Sequence, residues 1–433
     1  MFYEDEPKGV FFLIDNKSFY ASCEAIQLGF NPLKVPLVVL SEAHSTNGGL
    51  VLATSPAAKR LFNIKANVSR KRDLPIDKRL WIVPPRMNLY IRKNLQINNI
   101  FKEFAAEADV WPYSIDESII DMSHSWRLFG DTPKDVARVI QKRIRRELGL
   151  YTTVGIGDNP VQAKLALDIY AKHNHEFIGE IHYTSVPGKI WPIKKLTDVW
   201  GIGERTATKL NRMGIHDMYD LAHSNPHKIK ARMGVMGLQL YAISWGVDRS
   251  QLRHPPVVRS QSIGNSQVLP KDYRTKEDIE TVITEIGQQV GARLRHQKKQ
   301  AQSISLSIGF SYSAIEDTGC SGFNHSIKIN HTNQDSDLTK QLCFLFRKYW
   351  EGQSIRNIAV YATNLVSDGV QELDLFSNFD KQIENHKLNQ VVDQIRDKYG
   401  FTKLVYARSL SKSGTAMERA GLVGGHNGGN SYG

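Results

Sequence analysis

The chain has 433 residues, 41% hydrophobic and 23% charged, the make-up of a soluble globular protein with room for roughly three domains. No apolar run approaches the roughly 20 residues of a membrane span, the acidic start MFYEDEPKG lacks the layout of a secretory signal, and Cys23, Cys320 and Cys343 are too scattered for a disulfide framework or zinc site, so a reducing cytoplasm is expected. A formal net charge of +12 points to a polyanionic partner, nucleic acid first, although ribosomal and membrane-surface proteins share it.

VFFLID (10–15) is an apolar run closed by a carboxylate, which predicts a buried strand delivering Asp15 at its end. SFYASCEAI then reads as helix. Between 31 and 84, VPLVVL, GLVLAT and LWIV read as short strands around a helix at SPAAKRLF. TPKDVARVIQKRIRRELG is an amphipathic helix capped by Thr132, with Pro133 in its first turn and Gly149 as its stop. Val136, Ile140, Ile144 and Leu148 share its apolar face, and a solvated basic face lies opposite. YTTVGIG is the next strand, and NPVQAKLALDIYAKH a helix begun by Asn159 and Pro160. From about 185 to 250, short helices separated by Gly and Pro replace strands, and DRSQLRHPPVV is a linker. Residues 257–366 run strand, helix (276–299), strand (302–312), strand (325–330), helix (335–349), strand (356–364), the order of a ferredoxin-like domain. Beyond it lie QELDLF, a helical stretch (386–398), a strand in KLVYARSL, and a Gly-rich tail, GLVGGHNGGNSYG, expected to be disordered.

WPYSIDESIIDM (111–122) reads as two apolar strands around a turn, with Asp116 and Glu117 side by side at its tip. Adjacent ionised carboxylates repel and resist desolvation, so either the turn faces solvent or a cation is held there. If the Asp15 strand neighbours this hairpin, three carboxylates converge into an oxygen-rich site suited to Mg²⁺ rather than zinc. Two such ions about 4 Å apart activate an attacking hydroxyl and stabilise a leaving pyrophosphate, a logic common to polymerases, nucleotide cyclases and nucleases. On residue type alone, Phe19 and Tyr20 are core aromatics, and Arg60 and Lys164 are surface cations. The histidines of KHNHEF (172–177) lack partner ligands, and Cys23 reads as a packed small side chain.

IDNKSFYASCE, followed about a hundred residues later by YSIDES, resembles the two signature motifs of the Y-family (translesion, ImpB/MucB/SamB-type) DNA polymerases. VGIGDNPVQAKLA is similar to their third palm motif and LTDVWGIGERTATKLNRMGI to their thumb, so the resemblance spans about residues 10 to 410. It is closest to the UmuC-like branch of Gram-positive bacteria and their phages or mobile elements. The resemblance implies an α+β right-hand polymerase with a C-terminal ferredoxin-like little-finger domain. Its parts would be palm (1–30 and 85–184), fingers (31–84), helical thumb (185–250), linker (251–256), little finger (257–370), a clamp-binding motif with C-terminal extension (371–410), and a flexible tail (411–433).

By the same resemblance, Asp15, Asp116 and Glu117 are catalytic and, with the backbone carbonyl of Asn16, hold two Mg²⁺; the Asn16 side chain is then free to vary. Tyr20, five residues after Asp15, matches the steric gate against a 2′-hydroxyl, with Phe19 beside it. Arg60 and Lys164 match the cations that hold the incoming deoxynucleoside triphosphate. Ala57 stands where relatives resembling DNA polymerase IV carry a Tyr, so triphosphate contacts differ in detail. Gly201 and Gly203 form a helix-hairpin-helix turn whose N–H groups grip DNA phosphates. Arg259, Arg293, Arg295, Lys298 and Lys299 are candidates to line the duplex. Gln371, Leu373, Leu375 and Phe376 fit a bacterial sliding-clamp (beta subunit) ligand, or a short strand packed into the protein's own core. The expected activity is error-prone, template-directed extension of a primer, by a monomer and without a membrane. A catalytically silent DNA-binding scaffold and a two-metal nuclease are the alternatives.

Overall fold

The computed structural model describes residues 3–41, 49–254, 261–368 and 379–428. The strand Phe11–Asn16 is the centre of a five-stranded sheet ordered Val110–Pro112, Glu117–Asp121, Phe11–Asn16, Thr152–Gly157, Ile178–Ile181. It runs antiparallel to both its neighbours. Phe12 and Ile14 point into a core closed by the helices Met87–Phe101 and Pro133–Leu148. Leu13 points the other way, onto Ala163, Leu167 and Ala171. Burial on both faces explains why this strand is a continuous apolar run rather than an alternating one.

Local rules hold well here. Thr132 accepts a hydrogen bond from the Asp135 N–H, Gly149 closes the helix at φ 72°, and Val136, Ile140, Ile144 and Leu148 are buried as expected. Asn159 caps Pro160–Leu165 through the Gln162 N–H. That helix lies very close to the sheet: a Cβ on Gly155 would stand 2.0 Å from the Ala163 carbonyl oxygen, and one on Gly157 2.4 Å from the Ala163 nitrogen. Glycine at these two strand positions sets the height of the helix over the sheet.

A second sheet has Leu37–Ser41 between Leu50–Thr54 (antiparallel) and Trp81–Val83 (parallel), with Pro56–Phe62 capped by Ser55 beside it. The stretch from 185 to 246 is helical, with Glu204–Asn211, Met218–His223 and Pro226–Ser244, the last broken at Gly234. The C-terminal sheet follows the expected element order: Ile263–Tyr273, helix Lys276–His296, Lys299–Phe310, Gly322–Thr332, helix Asp335–Tyr349, Ile355–Ser367. Its spatial order differs from a ferredoxin-like sheet. The second and fourth strands are central here, where a ferredoxin-like sheet centres the first and third, and all pairs are antiparallel. An additional short helix, Tyr312–Thr318, joins two of its strands. Among the described residues, no helix is long and apolar enough to cross a membrane.

Two C-terminal expectations are corrected. KLVYARSL is not a strand: 3₁₀ turns at Phe401–Lys403 and Ala407–Leu410 wrap the end of the helix Phe379–Tyr399. The Arg396 guanidinium lies over the rings of Phe401 and Tyr406 and donates to the Leu404 carbonyl, so these residues are held by one cation rather than by a sheet edge. Residues 421–428 of the Gly-rich stretch are structured rather than disordered. Leu422–Val423 and His426–Asn427 pair across Gly424 and Gly425, whose positive φ values (58° and 82°) suit a tight hairpin.

The sheet joins the helical segment through buried polar groups. Asn159 donates to the Tyr183 hydroxyl and the Gly246 carbonyl, and Gln162 to the same carbonyl. Asp158 accepts from the Tyr183 N–H and lies 2.9 Å from His182 Nδ1. The hydrogen bond to Asp158, then that to Glu180, raises the His182 pKa to about 9. A histidine raised on folding contributes stability that is complete below its unfolded value, near 6.5, and lost as pH climbs through 9. His182 is half-exposed, so screening reduces its share to about 1 kcal/mol. The thermal midpoint should therefore fall between pH 6.5 and 9.5 more steeply in the parent than in His182→Gln. Parallel curves would remove this pair from the joint's energetics.

Candidate active site

Asp15 and Glu117 are direct partners across adjacent antiparallel strands. The hairpin tip that follows is organised by Ser114, whose Oγ donates to Asp116 Oδ1 (2.7 Å) and accepts from the N–H groups of Glu117 and Asp116. The tip is also locked to the central strand. Asn16 donates to the Asp116 carbonyl from its backbone N–H (2.9 Å) and its side-chain Nδ2 (3.0 Å). The expectation that the Asn16 side chain is free to vary is therefore corrected: it ties the two carboxylate-bearing elements together. Its Oδ1 is buried without a protein partner.

Burial pushes the Asp15 carboxyl up to about 6, Lys172 works against that rise, and the charges of Asp116 and Glu117 add to it. The compensation is cationic. Lys164 Nζ lies 2.7 Å from Glu117 and 3.2 Å from Asp168. Lys172 Nζ lies 2.8 Å from Asp168, 3.7 Å from Asp15 and 3.9 Å from Glu117. Lys164, Asp168 and Lys172 sit four residues apart on a helix that opens into a π turn over Ala166–Tyr170. With these ammonium groups between the acids, no three acidic, His or Cys side chains among the described residues are close enough to enclose an ion. The donor chemistry nevertheless fits a hard divalent cation: neighbouring carboxylates, one of them desolvated enough to favour added positive charge.

Tyr20 is half-buried beside this centre, and its hydroxyl is pushed above the usual phenol range by burial and by Asp116. Phe19 is a correction. Its side chain is 3% exposed inside the sheet–helix core, which leaves it no ring face for a nucleotide. Cys23 is buried, as expected. Arg60 is exposed and donates to the Leu33 carbonyl. Lys17 is held below the ordinary lysine range, first by burial and then by the nearby charges of Lys59, Lys172 and Arg60, opposed by Asp15. Lys17 and Lys172 are thus the cations that meet Asp15, and Lys59 and Arg60 add to the positive field around Lys17. Lys17, Asp168 and Lys172 were missed in the sequence, although the regular spacing from Lys164 through Asp168 to Lys172 was available there.

Gly201 adopts φ 88°, and a Cβ on Gly201 or Gly203 would meet nothing within 4 Å, so this hairpin presents open backbone. Its residues Thr197–Gly203 line one cleft with Asp168, which brings the hairpin to the edge of the acidic centre. The C-terminal arginines divide. Arg293 is exposed and donates to the Gly264 carbonyl. Arg295 is corrected: its side chain is only 8% exposed, paired with Asp393 through two nitrogens and with Asp335 at 2.8 Å, and so is not offered to a duplex. Lys298 and Lys299 occupy the turn into the next strand. Arg259, Gln371, Leu373, Leu375 and Phe376 lie outside the described residues.

The chain belongs to the impB/mucB/samB family, the Y-family polymerases that its motifs resemble. The family model matches residues 14–168, its HHH motif residues 183–215, and its C-terminal domain residues 260–375. Similar proteins include the Putative UV-damage repair protein UvrX of Bacillus subtilis (strain 168), 39% identical over 98% of this chain and 99% of that one. DNA polymerase IV 2 of the same organism is 34% identical over 96% and 98%. Among solved structures, the Y-family DNA polymerase chimera Dbh-Dpo4(243-245)-Dbh covers 83% of this chain and 99% of its own at TM-score 0.67 and 19% identity. That likeness carries the fold: an α+β polymerase with a C-terminal domain.

Arg295→Ala should leave the buried Asp335 and Asp393 without their cation and cost about 3–5 kcal/mol in denaturant unfolding. The salt dependence of DNA binding should stay at the parental slope. A variant of normal stability with a flatter slope would return Arg295 to the duplex surface.

Proposed function

We propose that the chain is a DNA-directed DNA polymerase of the translesion type, which adds deoxynucleotides to a primer 3′-hydroxyl on a template and releases pyrophosphate. One observation carries this reading: Asp15 faces Glu117 across adjacent strands, with a half-buried tyrosine whose hydroxyl feels Asp116, and with Lys164 2.7 Å from Glu117 and Lys172 3.7 Å from Asp15. A nuclease needs the acids but neither the sugar gate nor the triphosphate cations. A silent scaffold needs none of the three.

In this reading the five-stranded sheet and its helices are the palm, the three-stranded sheet the fingers, the 185–250 helices the thumb, and the C-terminal sheet the little finger. Asp15, Asp116, Glu117 and the Asn16 carbonyl would hold two Mg²⁺, which supply a lowered hydroxyl pKa and charge stabilisation of the leaving group. Lys172, Lys17 and Arg60 hold the triphosphate, and Lys172 is better placed for it than Lys164, being more exposed and among the other cations. Lys164 keeps Glu117 oriented, and Asp168 spaces the two lysines. The Tyr20 ring occupies the space a 2′-hydroxyl would need. Gly201 and Gly203 grip the duplex backbone without reading sequence. The enzyme acts as a cytoplasmic monomer in damage tolerance, and a sliding clamp raises its concentration at the primer end through Gln371, Leu373, Leu375 and Phe376.

Asp116→Ala or Glu117→Ala should lower primer extension by at least roughly 10²–10³-fold while primer–template binding persists. Near-normal extension by either variant, or degradation of labelled DNA without nucleotides, would overturn the polymerase reading. Leu375→Ala combined with Phe376→Ala should spare short gap filling on naked DNA and abolish stimulation by the loaded clamp. Equal stimulation of variant and parent would remove the tether, and loss of folding would assign the two side chains to the protein's own core.

A further inference from the structure

Tyr90 is fully buried, yet it carries a hydroxyl, and both roles of that hydroxyl are used. It donates to Glu24 Oε1 at 2.8 Å and accepts from the Arg86 N–H at 3.1 Å. Glu24 is itself 2% exposed and is gripped by the Arg86 guanidinium through Nε and Nη2. Desolvation is the main force holding the Tyr90 hydroxyl well above the usual phenol range, so the donor stays protonated. A buried carboxylate, itself held by a partly exposed guanidinium, thus clamps one aromatic ring at its oxygen.

The face of that ring is what Tyr20 rests on. The two rings stack at 4.3 Å between centroids with 13° between planes, and Phe19 meets both at wider angles. Among the described residues, no hydrogen bond holds the Tyr20 hydroxyl, so its ring is placed by this stack together with apolar packing against the Val35, Leu37, Val39 and Ala53 cluster.

We propose that Tyr90 is the positioning residue for Tyr20, setting how deeply that ring projects into the site and hence how strictly ribonucleotides are excluded. The inference rests on the reading of Tyr20 as the sugar gate. A gate that senses one oxygen atom works only if its ring is placed to a fraction of an ångström; misplacement of about 1 Å in such a site costs on the order of 100-fold. A stacked plane backed by Glu24 and Arg86 gives that stiffness, because shifting it breaks the hydrogen bonds that the buried Tyr90 hydroxyl makes to both.

The measurement is the ratio of kcat/KM for a deoxynucleotide to that for the matching ribonucleotide, on the full chain. Tyr90→Leu removes the plane and should lower the ratio about 10-fold or more, chiefly through ribonucleotide KM, with deoxynucleotide efficiency within about 3-fold of the parent. Tyr90→Phe keeps the plane but frees it from Glu24, and should fall between the two. In the Tyr20→Ala background, Tyr90→Phe should change the ratio no further. If Tyr90→Leu does not fold, the isosteric Tyr90→Phe decides: a parental ratio overturns the proposal. So does an equal loss in the presence and absence of Tyr20. A Tyr20→Ala variant that still rejects ribonucleotides defeats the gate reading itself, which is a separate failure. Lower thermal stability with an unchanged ratio would make Tyr90 structural packing alone.

Discussion

Everything near the site depends on how the protein tolerates three carboxylates at one end of its central strands. Asp15 is desolvated at the end of a strand buried on both faces, and Glu117 is its register partner. Left alone, such a pair would protonate or splay apart. The chain prevents both. Asn16 pins the hairpin to the strand through the Asp116 carbonyl, which uses no carboxylate oxygen. Lys164 and Lys172 then supply positive charge from above. Their delivery rests on backbone proximity, since the helix carrying them reaches the acids only because Gly155 and Gly157 let it lie against the sheet. Either glycine changed to alanine would raise the helix, and the electrostatic balance would fail before any catalytic residue had been touched.

The excess of basic residues looks different once partners are assigned. Arg138 pairs with Asp135 and Glu176, Arg143 with Glu103 and Glu147, and Arg295 with Asp335 and Asp393. In the C-terminal domain the buried pairs act as registers for the segment after residue 379. Asp393 docks its helix onto Lys276–His296, and Arg419 reaches Gln267, Gln289 and Glu285 from the Ala416–Ala420 helix. Beyond that, His426 meets Ser41 and the Gly428 carbonyl accepts from the Asn88 N–H. The last residues described thus tie the C-terminal segment to the three-stranded sheet and to the helix Met87–Phe101. A net charge alone cannot distinguish cations spent on such joints from cations offered to a phosphate backbone.

This is also where reading the sequence reached its limit. The Pro133–Leu148 helix was legible to its caps, because capping and a 3.6-residue period are local. Asp15, Asp116 and Glu117 were legible as a set, but that Asp15 stands opposite Glu117 is a choice of strand neighbour made across a hundred residues. Arg295 was misread because its acids lie about 40 and 98 residues away. KLVYARSL carries the β-prone run Leu404, Val405, Tyr406, and only the position of Arg396 shows why it coils instead. The order of the C-terminal sheet was out of reach for the same reason: element order is written in the chain, while pairing is decided by which faces bury best together.

The five-residue offset between Asp15 and Tyr20 has a local physical cause. The strand ends at Asn16 and the helix begins at Phe19, so the reversal must be made within Lys17 and Ser18. Ser18 makes it in the left-handed region, at φ 49°, a conformation uncommon for a residue with a side chain. The Ser22 hydroxyl braces the turn by donating to the Lys17 carbonyl, and the Ser22 N–H bonds the Ser18 carbonyl. Once the helix starts there, successive residues point about 100° apart. Phe19 is turned into the core and Tyr20 toward the acids, against the plane of Tyr90. Shifting the helix start by one residue would exchange the two rings. The direction in which Tyr20 leaves the backbone relative to the carboxylates is therefore set by one short turn, and the ring then rests on Tyr90 and on the Val35, Leu37, Val39 and Ala53 side chains in and beside the three-stranded sheet.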